Sequence, residues 1–139
     1  MTLLILLILV GVLLLGGALL LLIMTRGGGR SSLNTDKYRS EWMKIEQTVA
    51  RDNESSWHLS ILNADKLLDK ALRERGFKGQ TMGERMKSAK DTWKNTNHVW
   101  TAHKLRNQIA HETNAKVTYD TTRRALEAYK QGLKDMGAI

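Results

Sequence analysis

The sequence contains no cysteine and no proline among its 139 residues. The absence of cysteine excludes disulfide bonds and thiolate metal sites, and it permits a reducing compartment. The absence of proline removes the strongest helix breaker, which suits a chain of helices joined by Gly, Asn, Ser and Thr. We therefore expect an all-α protein that holds together without covalent cross-links.

Charge is absent from the first 24 positions, although the whole chain contains 22 Lys and Arg and 14 Asp and Glu residues. Residues 2–24 are mostly Leu and Ile, and a helix of this length spans about 30 Å, the thickness of a bilayer's hydrocarbon core. A cleaved signal peptide is the alternative, but such peptides begin with basic residues and have a shorter apolar stretch. The sequence therefore predicts a transmembrane anchor over residues 1–25.

Two basic residues, Arg26 and Arg30, follow the apolar stretch directly, whereas the N-terminal flank has only the α-amino group. The positive-inside rule therefore predicts a single-pass protein of the cell membrane, with its N-terminus outside and the remainder in the cytoplasm. Residues 26–34 (RGGGRSSLN) have the composition of a flexible Gly/Ser linker. The formal net charge of +8 lies beyond the anchor and favours anionic partners, namely lipid headgroups, nucleic acid or acidic proteins.

The remaining residues, 35–139, have apolar side chains at helical spacing, which predicts a four- or five-helix bundle. Thr81 and Glu84 fit a capping box at the start of the third helix, and Gly76 and Gly137 stand where helices end. The predicted helices lie near residues 36–51, 54–75, from 81, 96–111 and 118–136.

Four polar residues of the fourth predicted helix have the chemistry needed for phosphodiester cleavage without a metal ion: Arg106, Asn107, His111 and, in support, His103. Histidine can transfer a proton near neutral pH, and arginine can stabilise charge that develops on phosphate oxygens. RNA supplies its own nucleophile in the ribose 2′-hydroxyl. We therefore predict Arg106, Asn107 and His111 as catalytic candidates. Arg106 and His111 are about 140° apart on an ideal helix, so a second subunit is one way to bring them together.

The segment Arg106-Asn107-x-x-x-His111 resembles the R-x4-6-H motif of the HEPN superfamily, in which a polar residue commonly follows the arginine. The resemblance covers roughly residues 36–136. It implies a small helical bundle and, for many members, a metal-independent RNA endonuclease that acts as a homodimer with its motifs in a shared cleft. On this basis Arg106 would contact phosphate, Asn107 would position it, and His111 would act as acid or base.

Other interpretations of the same residues remain open. Arg106 could pair with a core carboxylate such as Asp65 or Asp69, while Asn107 and His111 cap the end of the helix. The domain would then be an interaction module that brings a protein or nucleic acid to the membrane, or a basic bundle lying on anionic lipid. No metal site or cofactor is predicted, because His103 and His111 are roughly 12 Å apart along the helix axis.

Overall fold

The computed structural model describes residues 1–26 and 32–139, and the side chains of 1–22 and 32–139. These residues form helices and no strand, which confirms the all-α prediction. The helices are α1 (Thr2–Arg26), α2 (Thr35–Thr48), α3 (Glu54–Glu74), α4 (Met82–Ser88), α5 (Thr96–His111) and α6 (Tyr119–Asp135). The chain divides into two compact units, one containing α1 and the other α2 to α6.

Helix α1 is apolar. Its segment Thr2–Leu22 has a mean hydropathy of 3.1 and is 0% buried. A helix of this length and composition could cross a membrane, and a signal sequence would have the same properties. Of the predicted juxtamembrane cations, Arg26 ends α1 but its side chain is outside the described residues, as is all of Arg30. Most of the predicted linker, residues 27–31, is outside them too.

Each helix of the second unit begins at a residue whose side chain accepts a hydrogen bond from the first turn. Such a cap compensates one of the backbone amides that a helix start leaves unpaired. The predicted capping box at Thr81 and Glu84 is confirmed, because the side chain of each residue accepts a hydrogen bond from the backbone amide of the other. The cap residues are Asn34, Asn53, Thr81, Asn95 and Thr118.

Glycine ends two of these helices, as predicted. Gly76 has φ +80° and Gly137 has φ +71°, a backbone conformation that side chains with a Cβ rarely adopt. After each glycine the next amide donates to a carbonyl five residues back, from Phe77 to Leu72 and from Ala138 to Leu133. These bonds form Schellman motifs that stop α3 and α6.

Helix α2 is shorter than predicted, because it ends at Thr48 rather than Arg51. The next backbone groups bind side chains of α3 instead of continuing the helix. The amide of Ala50 donates to Ser56 Oγ at 3.0 Å, and Trp57 Nε1 donates to the Ala50 carbonyl at 2.7 Å. Tertiary hydrogen bonds therefore fix this boundary.

Helix α3 lies at the centre of the second unit and contacts α2, α4, α5 and α6. Its inner face contributes Ile61, Leu68 and Leu72, all with 0% exposure, and Tyr129 and Leu133 of α6 meet them. Two aromatic residues of α2, Tyr38 and Trp42, are also buried. This arrangement places α5 and α6 side by side against the same central helix.

We expect the substitution Leu68→Ala to lower the free energy of unfolding by about 2–5 kcal/mol, because it leaves a cavity in a core that cannot easily collapse. Leu68 is 0% exposed, whereas Met43 on α2 is 56% exposed. The matched substitution Met43→Ala should therefore change stability by less than about 0.5 kcal/mol. Urea unfolding of the full chain in detergent, followed by tryptophan fluorescence, measures both. All Trp residues lie in the second unit, so α1 does not contribute to the signal.

Candidate functional site

A carboxylate lies within the apolar face of the central helix. Asp65 of α3 falls between Ile61 and Leu68 on the inward face, and it is 4% exposed. An isolated ionised carboxylate in such surroundings would be strongly unfavourable. The partners of Asp65 therefore determine how α5 and α6 pack against α3.

Three side chains compensate this carboxylate. Tyr129 Oη of α6 donates to Asp65 Oδ1 at 2.8 Å, and His103 Nδ1 of α5 lies 2.8 Å from the same oxygen. Arg106 Nε of α5 lies 3.3 Å from Oδ2, at ion-pair distance but without the alignment of a hydrogen bond. The structural interpretation in which Arg106 pairs with Asp65 is therefore correct.

Asn107 links the two α5 partners of Asp65. Arg106 Nη1 donates to Asn107 Oδ1 at 3.0 Å, and Asn107 Nδ2 lies 3.4 Å from His103 Nε2. If the amide donates there, His103 holds its proton on Nδ1 and donates it to Asp65. Asp65, His103, Asn107 and Arg106 therefore form a closed ring of polar contacts, which we call the Asp65 network together with Tyr129. Asn107 belongs to this ring and does not cap the end of α5.

The Asp65 network borders a surface groove of about 920 Å³ between α3, α4 and α5. Asp65, His103, Arg106 and Asn107 all line it. Further lysines line the same groove, and none of them has a salt bridge within the described part of the chain: Lys66, Lys87 and Lys104. We call this cavity the basic groove.

A second ion pair closes the α4 side of the basic groove. Arg85 is 6% exposed, and its Nε and Nη2 donate to the two oxygens of Asp69 at 2.7 and 3.0 Å. Its Nη1 also donates to the carbonyl of Gly79 at 2.7 Å. This bidentate pair attaches the short helix α4 to α3 and leaves the lysines as the unpaired cations of the groove.

His111 lies apart from these residues. It is the last residue of α5, it is exposed, and it does not line the basic groove. Because α5 runs unbroken from Thr96 to His111, the helical angle of about 140° between Arg106 and His111 is preserved. The chain therefore brings Arg106, Asn107 and His103 together and leaves His111 outside the group. Among the described residues no three His, Asp or Glu side chains are grouped as metal ligands.

Sequence reasoning named Arg106, Asn107 and His103 but missed the central role of Asp65 and Tyr129. The available signal was the position of Asp65 on the apolar face of α3, at helical spacing from Ile61 and Leu68. A carboxylate on a core-facing stripe requires a buried partner, and Tyr129 on the apolar face of α6 was a candidate donor.

No protein-family model, curated protein or solved structure matches the chain. The HEPN resemblance consequently rests on the motif at Arg106, Asn107 and His111 and on the order of the helices.

We expect Asp65→Asn to lower the free energy of unfolding by about 3 kcal/mol, because it removes the charge that compensates Arg106 and weakens two buried hydrogen bonds. Asp36, which is exposed in the first turn of α2, provides the control substitution Asp36→Asn. Urea unfolding followed by tryptophan fluorescence measures both variants. Equal stability of the Asp65→Asn variant and the unsubstituted chain would contradict the central role of this carboxylate.

Stability should also fall at alkaline pH because of Tyr129. Burial, and next the neighbouring charge of Asp65, raises the pKa of the Tyr129 hydroxyl well above its usual value. Because of the raised pKa, Tyr129 keeps its proton in the folded state at pH values at which the unfolded state has lost it. This contribution is complete below about pH 10 and is lost as the pH rises further, by up to about 1.4 kcal/mol per pH unit.

The measurement is the free energy of unfolding between pH 8 and 11, compared between the unsubstituted chain and Tyr129→Phe. The slope above pH 10 should become shallower in the variant. A residual slope should remain from Tyr38, whose pKa is raised by burial and by its hydrogen bond to Glu74. An unchanged slope in Tyr129→Phe would show that Tyr129 does not titrate differently in the two states.

Proposed function

We propose that this protein is a membrane-anchored HEPN-like module that acts on RNA and cleaves it without a metal ion. The observation that supports the proposal is the Asp65 network, which holds a histidine, an arginine and an amide together on the wall of a groove containing unpaired lysines. Each of these residue types has a role in phosphodiester chemistry.

The proposed anchor is α1, whose apolar surface is uncovered over a length that matches a bilayer. Arg26, the last residue of α1, and Arg30 beyond it favour a cytoplasmic location for the helical domain. In this arrangement the domain would meet RNA at the inner surface of the cell membrane.

The basic groove supplies the groups that an RNA backbone needs. Lys66, Lys87 and Lys104 would attract phosphates, and the partly exposed guanidinium of Arg106 would stabilise charge on the phosphate that reacts. Asp65 orients His103 through Nδ1, which leaves Nε2 as the atom that would take a proton from the 2′-hydroxyl once Asn107 turns toward substrate.

His111 has a different place in this proposal. It lies about 140° from Arg106 around one continuous helix of the same chain and does not line the basic groove. It would contribute as the acid or base only in a homodimer in which the partner's α5 completes the site, as the HEPN resemblance implies.

The same contacts favour a second function, a module of this fold that binds RNA without cutting it. Both ring nitrogens of His103 already have partners, and Arg106 is held by Asp65 and Asn107. A closed network of this kind positions groups for binding and leaves no base free unless it opens.

RNA cleavage by the full chain in detergent, in the presence of EDTA, is the test. We expect Arg106→Ala to slow cleavage by about 100-fold or more, because it removes charge stabilisation in the transition state. His103→Gln should have an effect of similar size if His103 is the base. His98→Gln, at an exposed position of the same helix, should leave the rate unchanged. DNA of the same sequence lacks the 2′-hydroxyl and should remain intact.

The outcomes separate the alternatives. Loss of cleavage in His111→Gln but not in His103→Gln would assign the acid–base role to His111 in a dimer. Binding of RNA that weakens in Lys66→Ala and Lys87→Ala, without cleavage, would favour the binding module. Absence of both binding and cleavage by folded protein over a broad set of RNAs would overturn the proposal.

A further inference from the structure

The outer faces of α5 and α6 form a second groove, on a different side of α5 from the Asp65 network. It encloses about 880 Å³, and its floor consists of apolar residues, of which Leu105 is half-buried and the others are buried: Val99, Ala102, Ala125 and Ala128. We call it the α5–α6 groove. The other helices of the second unit pack against α3 and not over this pair, so residues 32–139 leave the groove open.

The groove is elongated. Helices α5 and α6 are antiparallel, because the start of α5 lies beside the end of α6. The amide of Lys94, just before α5, donates to the carboxylate of Asp135, the last residue of α6, at 2.9 Å. Along α5 the lining extends from Asn95 to Gln108, a distance of about 20 Å on a helix. This length corresponds to nearly four helical turns, and the alanines of the floor permit another helix to approach closely.

Polar and charged side chains form the rim. Lys104, Arg123, Arg124 and Glu127 line the groove, so cations exceed carboxylates by three to one. Arg124 contacts Asp120 at 2.7 Å, whereas Lys104 and Arg123 form no salt bridge within residues 32–139. An apolar floor with a polar rim is the usual anatomy of a protein interface.

This charge pattern selects among possible occupants. A second copy of the chain in a two-fold dimer would place the same cations opposite one another, and like charges across an interface are unfavourable. An acyl chain would meet the polar side chains of Asn95 and Gln108 at the two ends of the groove. An amphipathic helix with an apolar stripe and acidic flanks matches the floor, the length and the charge of the rim together.

We propose that the α5–α6 groove is a docking site for an acidic amphipathic helix of a partner protein. The site shares only Lys104 with the basic groove and does not depend on any activity toward RNA. Apolar residues at positions i, i+4, i+7 and i+11 of the partner would lie over the alanine floor, and its carboxylates would meet Lys104 and Arg123.

The test uses the full chain in nanodiscs of phosphatidylcholine, a lipid without net charge. The probe is a fluorescein-labelled peptide of about 18 residues built from Ala, Leu and Glu, with Leu on one helical stripe and Glu on both flanks. One comparison peptide has the same composition with the stripe scrambled, and a second has Lys in place of Glu. Fluorescence anisotropy measures binding, and empty nanodiscs report binding to lipid.

We expect the acidic striped peptide to bind at least about tenfold more tightly than either comparison peptide, since it alone matches both floor and rim. Arg123→Glu should weaken its binding about threefold to tenfold and strengthen binding of the Lys peptide. Lys134→Glu, the same charge change at an exposed position of α6 outside the groove, is the matched control. Tryptophan fluorescence shows that each variant is folded.

A second variant and a location measurement complete the test. Thr101→Trp adds bulk at an exposed position of the groove and should abolish binding without a change in charge. A peptide with a photoreactive leucine on its stripe should cross-link to α5 and α6. Equal binding of the scrambled peptide, cross-links elsewhere or to lipid, or no binding of any peptide to folded protein would overturn the proposal.

Discussion

The structure depends on one buried negative charge. Asp65 lies on the apolar face of the central helix, where its ionised form is tolerated only because Tyr129, His103 and Arg106 compensate it. These partners come from α5 and α6, so satisfying the carboxylate also sets the positions of both helices against α3. Removal of the charge would leave Arg106 partly buried without a counter-ion and would weaken the contacts of α3 with both α5 and α6.

The same carboxylate connects stability with the candidate chemistry. His103 and Arg106 are held in place by the group that stabilises the core, and Asn107 fixes the distance between them. Groups held by a network lose little freedom on binding a substrate, which favours catalysis or tight binding. However, each of these side chains must break a contact with its structural partner before it can react.

Much of the fold follows from local rules that a sequence displays. The capping residues at Thr81, Asn95 and Thr118 and the glycine stops at Gly76 and Gly137 act within one helical turn, so the predicted boundaries there hold to about one residue. The end of α2 was predicted too late because Ala50 bonds to side chains of α3, a contact between separate elements.

The contacts of the candidate site could be predicted only in part, because local rules do not specify how separate helices pack. Helical angles alone separated Arg106 from His111, and Asp65 was named among the possible partners of Arg106. That Tyr129 and His103 share the same carboxylate oxygen depends on the packing of α5 and α6 against α3, which no periodicity specifies.

Helix α5 lines a different groove on each of two sides, and Lys104 belongs to both grooves. This residue lines both the basic groove and the α5–α6 groove, so it stands on the ridge between them. A partner helix whose carboxylates engage Lys104 would neutralise one cation of the basic groove. Because Lys66 and Lys87 line the basic groove and not the α5–α6 groove, the proposed attraction for RNA would weaken but persist. Occupation of one groove would therefore tune the electrostatics of the other without any movement of α5.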